Sequence, residues 1–478
     1  MKKNFVFAIV LAAAAAALVV CAHRVLSADA FSVGFSERTL WGDVSAAEGL
    51  TVTDKVNCDH HLFWDTRVYL GEEPSEKTEF SFSVSRINNV NKRDHRGMYI
   101  YPFLNSYHMG FSNGVTMEEL IEQNKYGWSE ERTLLPLWKA AAADTPAGQK
   151  KTFLYRLRDY YEYYPIQIWF DLGKIDGSDE EKNMPALQKF FRFPVNEEHM
   201  VYVTAEKNND GSIMSLEVEG SYKGRACGAQ LSGFSAVTPD ACWYVFDNSG
   251  ADGTVPLDMG MVPGGFGIYR IPYTLDQNGT AFVEGEGTRM VYSLNEGDAV
   301  LGLAANEGKL ILFTQSGEAV RMSVIDPESF SLLQTLELLR EPQVTYISNR
   351  VFFDDCLVVE FSNGRLALTR RGGDGVWSVV LTADTSVLYD TDYGVTGRGI
   401  SRSWAWDGSR LACVEPVWGS VGSTDFVLTI YDASGLRYAG VFESTLGRDA
   451  PREGGLSIYN GQAPEDCTVA WRDAGTEE

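Results

Sequence analysis

Cysteine is scarce in this sequence. Seven cysteines are spread over 478 residues, whereas exported scaffolds that depend on disulfides are dense in them. Cys242, Cys356 and Cys413 fall in similar apolar strands of what read as separate repeated units, and residues at equivalent repeat positions cannot easily reach one another. We therefore predict that these three are small core residues and that the fold is not a disulfide scaffold.

Positive charge is also scarce. The chain has 41 Lys and Arg against 65 Asp and Glu, a formal net charge of −24 at pH 7. A protein that binds nucleic acid needs a basic surface for the phosphates, so we expect no nucleic-acid partner. An acidic surface of this kind mostly promotes solubility.

The sequence lacks the short motifs of the commoner nucleotide and metal enzymes. It contains no Walker loop, dinucleotide fingerprint, zinc-protease helix or paired CxxC. We therefore assign no catalytic residue, no cofactor and no resident metal.

Long apolar runs are absent except at the start of the chain. Phe5–Ala22 is eighteen residues without a charge and follows a basic start with Lys2 and Lys3. As a helix it would rise about 27 Å, at about 1.5 Å per residue, which just spans a bilayer core. Residues 1–30 are thus predicted to be a membrane anchor or an export signal.

Three readings of this segment remain open. An uncleaved anchor is favoured, because the small-x-small site Ala28–Ala30 lies somewhat far from the apolar run for cleavage. Simple cleavage and a lipoprotein signal at Cys21 are the alternatives, although Val20 is bulky for lipoprotein processing. Each places the body outside the cytoplasm, so we predict a single-pass membrane protein or else a secreted one.

The body, residues 31–478, reads as short β-strands joined by tight turns. In Val300–Leu338 apolar runs alternate with turn clusters at Asn306–Gly308, Gln315–Gly317 and Asp326–Glu328. One such sheet cannot bury both of its faces alone, so we expect similar sheets elsewhere in the chain to pack against it.

The copies recur along the chain. Later units begin near Phe234, Val300, Val344 and Gly399, the last three starts being 44 and 55 residues apart, which is the period of four-stranded propeller blades. With Gly49–Ser85 and two further units before residue 223, the count is about seven. We predict an all-β propeller that a short strand from Thr468 to Trp471 helps to close.

A helical insertion interrupts this pattern at about residues 115–145. Thr116 and Glu119 have the spacing of a capping box, which predicts a helix from residue 117. A second helix is predicted over Ser129–Ala143, with Leu134, Leu135, Leu137 and Trp138 on its buried side.

The segment VIDPESFSLLQTLEL, a strand, an Asp-Pro turn and a second strand, resembles the outer part of a blade in bacterial β-propellers of the quinoprotein or WD40-like kind. The body also resembles exported, membrane-anchored proteins of Gram-positive bacteria. The resemblance implies a fold and no activity. Regular Trp-Asp endings and the repeated tryptophan docking motif of quinoproteins are missing, so no cofactor carries over.

Two clusters supply candidate ligand contacts. Residues 58–61 (CDHH) with Asp65 form the richest group of metal-ligand side chains, but adjacent histidines on a strand point to opposite faces. We take His60 and Asp65 as ligand-contact candidates and expect no metal.

An aromatic run, YYEYY at residues 160–164 followed by Trp169, has the chemistry to stack on sugars or seal a partner surface, although aromatics in strands usually pack in the core. Tyr164 and Trp169 are its candidates.

A nucleophile-elbow spacing occurs at Gly110–Gly114, around Ser112, with Asp171 or Asp176 and His199 downstream. The elbow needs a helix that starts at the serine, whereas the helix cap here is Thr116. We therefore predict a Gly/Asn loop without catalysis.

These observations favour a membrane-tethered, extracytoplasmic protein that binds or senses a protein or carbohydrate ligand. An exported hydrolase or lyase that uses carboxylates and a histidine in a central funnel is the first alternative. A structural subunit of an envelope or transporter complex is the second.

Overall fold

The computed structural model describes most of the chain. The described residues are 2–26, 33–58, 61–71, 75–83, 97–102, 107–123, 133–171, 187–222, 225–226, 233–248, 259–275, 277, 281–283, 285–342, 344, 346–385, 403–416, 425–445, 458–460 and 467–472.

The protein is all-β, with strands that form seven antiparallel sheets. Sheet I has Leu50–Cys58, Leu62–Tyr69, Ser75–Phe82, Ile458–Asn460 and Cys467–Trp471. Sheet II has Gly97–Pro102 and Ile166–Asp171. Sheet III has Tyr107–Val115, Lys150–Arg156, His199–Lys207, Ile213–Tyr222 and Arg225–Ala226. Sheet IV has Gly233–Thr238, Ala241–Phe246, Gly267–Leu275, Ala281–Val283 and Arg289–Ser293.

The three remaining sheets follow in chain order. Sheet V has Ala299–Asn306, Lys309–Ser316, Ala319–Ile325 and Leu332–Arg340. Sheet VI has Ile347–Phe353, Cys356–Phe361, Arg365–Arg371 and Trp377–Asp384. Sheet VII has Ser403–Trp406, Leu411–Pro416, Phe426–Asp432, Gly435–Ser444 and Phe35–Gly42.

The helices are short apart from the first. Among the described residues, the α-helical segments are Lys2–Leu26, Met117–Gln123, Leu135–Asp144 and a turn at 187–190, and the 3-10 helices are Val44–Ala47, Leu157–Asp159, Met259–Met261 and Gly285–Gly287. Within the described residues, no helix combines the length and the apolar character that crossing a bilayer requires.

The predicted repeat units correspond to real sheets. Sheet V, which was predicted from its turns, is a four-stranded meander with consecutive strands paired. Its first turn places Glu307 at φ 45° and Gly308 at φ 73°, the left-handed conformation that tight hairpins require. The starts of sheets IV, V, VI and VII lie within four residues of the predicted starts. The all-β class and the four-stranded antiparallel units are therefore confirmed.

The prediction of seven four-stranded units is wrong in one respect. Among the described residues sheet II has two strands, because Lys150–Arg156, a strand predicted for the second unit, pairs with His199–Lys207 in sheet III. The unpaired backbone N–H and C=O groups at the edge of a strand can bond to more than one other strand. The turn residues do not specify which strand that is. Asn208–Gly211 does join His199–Lys207 to Ile213–Tyr222, as its turn sequence predicted.

The chain divides into two compact units, residues 1–93 with 347–478, and residues 94–346. In the first unit, both ends of the body complete sheets that are built from the other end. Phe35–Gly42 pairs with Gly435–Ser444, and Cys467–Trp471 pairs with Leu50–Cys58. The predicted strand from Thr468 to Trp471 is confirmed, as Cys467–Trp471.

Apolar side chains cover the facing sheets of the first unit. One cluster joins sheets I and VII through residues such as Leu50, Val52 and Leu428. Another joins sheets VI and VII and contains both Cys356 and Cys413. These two cysteines are buried, as is Cys242, which confirms their predicted role as small core residues.

The second unit holds the predicted helical insertion. The Thr116 hydroxyl accepts a hydrogen bond from the Glu119 amide at 3.1 Å, and the Glu119 carboxylate accepts one from the Thr116 amide at 2.8 Å. This is the predicted capping box. The second helix begins at Leu135, with Leu137 and Trp138 buried against sheets II to IV in one core.

Arg410 links three parts of the first unit. Its guanidinium donates to the carbonyl oxygens of Ala46 and Glu48 at 2.9 and 3.2 Å. Its Cζ atom lies 4.0 Å from the centroid of the Trp471 ring, and its Nε pairs with Asp407 at 2.8 Å. The Arg410 side chain therefore ties the 3-10 helix Val44–Ala47 and the strand Cys467–Trp471 to one hairpin of sheet VII.

We expect Arg410→Ala to lower the free energy of unfolding by about 2 kcal/mol, because it removes charged hydrogen bonds and a cation–π contact. Arg340→Ala is the matched control. Arg340 also forms an i,i+3 pair, with Glu337, but its side chain is 67% exposed, so a loss under about 1 kcal/mol is expected. Urea unfolding measures the free energy of unfolding of both variants. If Arg410→Ala and Arg340→Ala lost the same amount, the linking role of Arg410 would be contradicted.

Candidate functional site

The tyrosine run 160–164 lies between the 3-10 helix Leu157–Asp159 and the strand Ile166–Asp171. The amides of Tyr160 and Tyr161 both donate to the carbonyl oxygen of Leu157 at 3.1 Å. These bonds end the helical turn and leave the next residues extended.

A second segment fixes the other side of the run. The Tyr164 amide donates to the Phe193 carbonyl at 2.8 Å, and the Val195 amide donates to the Glu162 carbonyl at 3.1 Å. An antiparallel bridge between Tyr163 and Pro194 lies between these bonds. The pairing places the helical turn at 187–190 and Arg192 beside the tyrosines.

The two segments enclose a cavity of about 280 Å³, here called the tyrosine pocket. It lies wholly within the second unit. Its lining combines aromatic rings with planar polar groups and consists of Tyr160, Tyr161, Glu162, Tyr163, Tyr164, Ile166, Gln188, Phe191 and Arg192.

Two tyrosines form the fixed floor of the tyrosine pocket. Tyr161 and Tyr164 are each only 4% exposed. The Tyr161 hydroxyl donates to the Thr133 carbonyl at 2.7 Å, and the Tyr164 hydroxyl accepts from the Asn196 amide at 3.2 Å. Burial raises the pKa of the Tyr161 phenol, which keeps it neutral.

The other two tyrosines are half-buried and form the rim. Tyr160 packs edge-on against Tyr155, with ring centroids 5.3 Å apart. The Arg192 Cζ atom lies 5.3 Å from the centroid of Tyr163. Within the described residues, neither rim hydroxyl has a hydrogen-bond partner, so both are available to a ligand.

The polar lining is balanced in charge. Glu162 and Arg192 are exposed and contribute one negative and one positive charge. Gln188 is buried, and its amide nitrogen donates to the Ile166 carbonyl at 3.1 Å. Among the described residues, the pocket lining thus offers hydrogen-bond donors and acceptors without a net charge.

His199 supports the floor from behind. It is fully buried at the start of the strand His199–Lys207, and its Nδ1 atom lies 3.2 Å from the Tyr164 hydroxyl. Its Nε2 atom has no hydrogen-bond partner among the described residues. Burial lowers the pKa of the imidazole to about 4, so the ring is neutral near pH 7 and holds Tyr164 in place.

The four ligand-contact residues predicted from the sequence differ in where they lie relative to the tyrosine pocket. Tyr164 lines the tyrosine pocket. Trp169 lies in the strand Ile166–Asp171, opposite Tyr99, and its side chain is outside the described residues. Asp65 is half-buried in sheet I, in register with Lys55 and Glu79, and does not line the tyrosine pocket. His60 lies outside the described residues.

The expected loop at Gly110–Gly114 is wrong, because these residues lie within the strand Tyr107–Val115. Ser112 and His199 are not brought together. Gly110 aligns with Ser215, and His199 aligns with Tyr222 on the same neighbouring strand, a separation of roughly 23 Å at about 3.3 Å per residue. Asp176 is outside the described residues, and no strand–turn–helix elbow exists here.

The sequence reasoning missed Glu162, Gln188, Phe191 and Arg192 as pocket residues. Glu162 stands inside the noted aromatic run. The other three are 24 or more residues further along the chain and reach the tyrosines through the bridge at Pro194, which no local pattern indicates.

Comparisons with known proteins give only distant likenesses. No protein family model and no curated protein matches this chain. Among solved structures, apo AztD from Citrobacter koseri has 10% identity and a TM-score of 0.24, covering 88% of this chain and 97% of that one. The glutaminyl cyclase of Myxococcus xanthus has 11% identity and a TM-score of 0.22, and the match covers 56% of this chain and 87% of that one.

A third likeness is to the β-propeller domain of Cps50 (Swd1) from Myceliophthora thermophila, with 9% identity and a TM-score of 0.21, covering 55% of this chain and 84% of that one. These neighbours are propeller-like proteins. Their TM-scores are all below 0.5, so the functional argument rests on the tyrosine pocket itself.

We expect the buried His199 to make stability depend on pH. Unfolded histidine binds a proton near its ordinary pKa of 6.5, whereas folded His199 does so near 4. Between these values the unfolded state binds more protons, so the free energy of unfolding falls as the pH is lowered, by about 3 kcal/mol in total.

Urea unfolding between pH 7 and pH 4 measures this effect. His199→Gln, which does not titrate, should lose this part of the pH dependence, whereas the exposed His108→Gln should keep it. If the free energy of unfolding changed with pH in the same way in the wild type and in His199→Gln, a buried neutral imidazole at position 199 would be ruled out.

Proposed function

We propose that this protein is a noncatalytic, exported binding protein and that the tyrosine pocket is its ligand site. The observation that carries the proposal is the pocket's construction: a concave site of small-molecule size, with two buried tyrosines held by hydrogen bonds and two half-buried ones at the rim. Such a site is preorganised, which lowers the entropic cost of binding. Export is inferred from the basic start and the apolar run Phe5–Ala22.

We infer that the sheets are blades of a β-propeller. Within each unit, sheets that follow one another in the chain share an apolar core, as sheets IV and V do and sheets VI and VII do. Sheets V and VI are four-stranded meanders. Strand exchange between the two ends of the body, seen in sheets I and VII, is how a ring of such sheets would be closed.

The lining of the tyrosine pocket supports binding over hydrolysis. Of the nine lining residues among the described part of the chain, one, Glu162, carries a carboxylate, whereas glycoside hydrolysis uses a pair. The nearby imidazole of His199 is buried behind Tyr164 and bonded to its hydroxyl, so it supports the floor instead of facing a ligand.

Binding is tested by thermal unfolding of the purified protein with a panel of small molecules: monosaccharides, amino acids, nucleosides, dicarboxylates and quaternary ammonium compounds. A ligand that binds the folded state at about one hundred times its Kd adds about 2.7 kcal/mol of stability, so at least one class should raise Tm by several degrees. Tyr163→Ala should reduce the rise by about half, because removing a rim ring weakens binding about tenfold and leaves the ligand at about ten times its Kd.

Tyr202→Ala is the matched control, because Tyr202 is a 40% exposed tyrosine in the same unit and does not line the tyrosine pocket. It should keep the full rise in Tm. If no compound stabilises the wild type, or if Tyr163→Ala responds like the wild type, the tyrosine pocket is not a binding site.

A further inference from the structure

We propose that the ligand of the tyrosine pocket is a neutral saccharide, one sugar ring of which occupies the cavity. This inference rests on the proposed binding function and adds the chemical class of the ligand. Three features of the pocket carry it: its size, its aromatic rim and its balanced polar groups.

Size limits the ligand. At about 280 Å³, the tyrosine pocket lies at the lower end of the range of small-molecule sites, about 300–1,000 Å³. A dinucleotide or a folded peptide does not fit inside such a volume, whereas a single pyranose ring does. A longer glycan would place one residue in the pocket and the others in solvent.

The rim offers flat apolar surfaces in fixed positions. Tyr160 is braced by Tyr155, whose ring in turn stacks on Phe153 with centroids 5.8 Å apart and 13° between the planes. Tyr163 is braced by Arg192. A sugar ring has one face of C–H groups, and such a face packs on the negative face of an aromatic ring.

The polar groups match the hydroxyls of a sugar. Each hydroxyl is both a donor and an acceptor. Around the same cavity the lining places a carboxylate, a guanidinium and an amide, on Glu162, Arg192 and Gln188. The hydroxyls of Tyr160 and Tyr163, which have no hydrogen-bond partner in the described part of the chain, lie there as well. Donors and acceptors are both present, so adjacent hydroxyls of one ring can be satisfied together.

The charges argue against an ionic ligand. Four tyrosines around a cavity also suggest an aromatic cage for a quaternary ammonium group. The Tyr163 ring, however, already carries the Arg192 cation at 5.3 Å, and a second cation would be repelled there. An anion would meet Glu162 and a chain of net charge −24.

Titration calorimetry of the full chain separates these possibilities. The probes are glucose, galactose, mannose and N-acetylglucosamine as neutral sugars, glucuronate as an anionic sugar, and choline and glycine betaine as ammonium compounds. We expect at least one neutral sugar to bind and to bind more tightly than glucuronate, choline and betaine.

The variants test the contacts. Tyr163→Ala should weaken sugar binding by about tenfold, and Tyr163→Phe by less, because it keeps the ring and loses only the hydroxyl. Glu162→Gln changes an exposed side chain and should weaken binding several-fold without affecting the fold, as circular dichroism would verify. Tyr202→Ala should bind like the wild type.

The results distinguish the two proposals. Preferential binding of choline or betaine, lost in Tyr163→Ala, would overturn the saccharide assignment and leave the binding function in place. If none of the seven probes binds but an amino acid, nucleoside or dicarboxylate of the wider panel does, the saccharide assignment fails alone. If neither set binds, both proposals fail.

Discussion

The fold depends on central strands that are apolar on both faces. Ala241–Phe246 and Cys356–Phe361 are buried along their whole length, and a strand of that kind needs a packed layer on each side of its sheet. In each compact unit, neighbouring sheets therefore share a core, and a single sheet would leave one apolar face in water. Strand pairing between the two ends of the body follows the same need, because it covers strand edges in sheets I and VII. Cys467–Trp471 also adds buried side chains to sheet I.

The tyrosine pocket departs from this regular packing. Sheet II has two strands among the described residues, and the segment beside it pairs through two backbone hydrogen bonds around Tyr163 and Pro194 instead of a full strand ladder. The aromatic side chains are therefore divided between a buried floor and an open rim. A full strand in this place would bury all four tyrosines, and they would then be core residues of the kind that the sequence favoured.

Floor and rim have different electrostatic surroundings. Tyr161 and Tyr164 have their hydroxyls bonded inside the protein, and His199 is kept neutral behind them. Glu162 and Arg192 remain at the surface. A rigid apolar base with polar groups at its margin is the arrangement that orients a small ligand, and its described residues provide no pair of carboxylates for hydrolysis.

The sequence by itself determined most of the strands and their turns, the capping box at Thr116 and the cysteines of the core, but not the strand at Gly110–Gly114. Each of these depends on residues a few positions apart, or on an apolar pattern that any layered packing must bury. The tertiary structure alone decided that Lys150–Arg156 joins sheet III, that Ser112 and His199 lie at opposite ends of that sheet, and that Gln188 and Arg192 face the tyrosine run. These choices are pairings between distant backbone segments, and the free energy that selects one partner over another comes from contacts that exist only once the chain is folded.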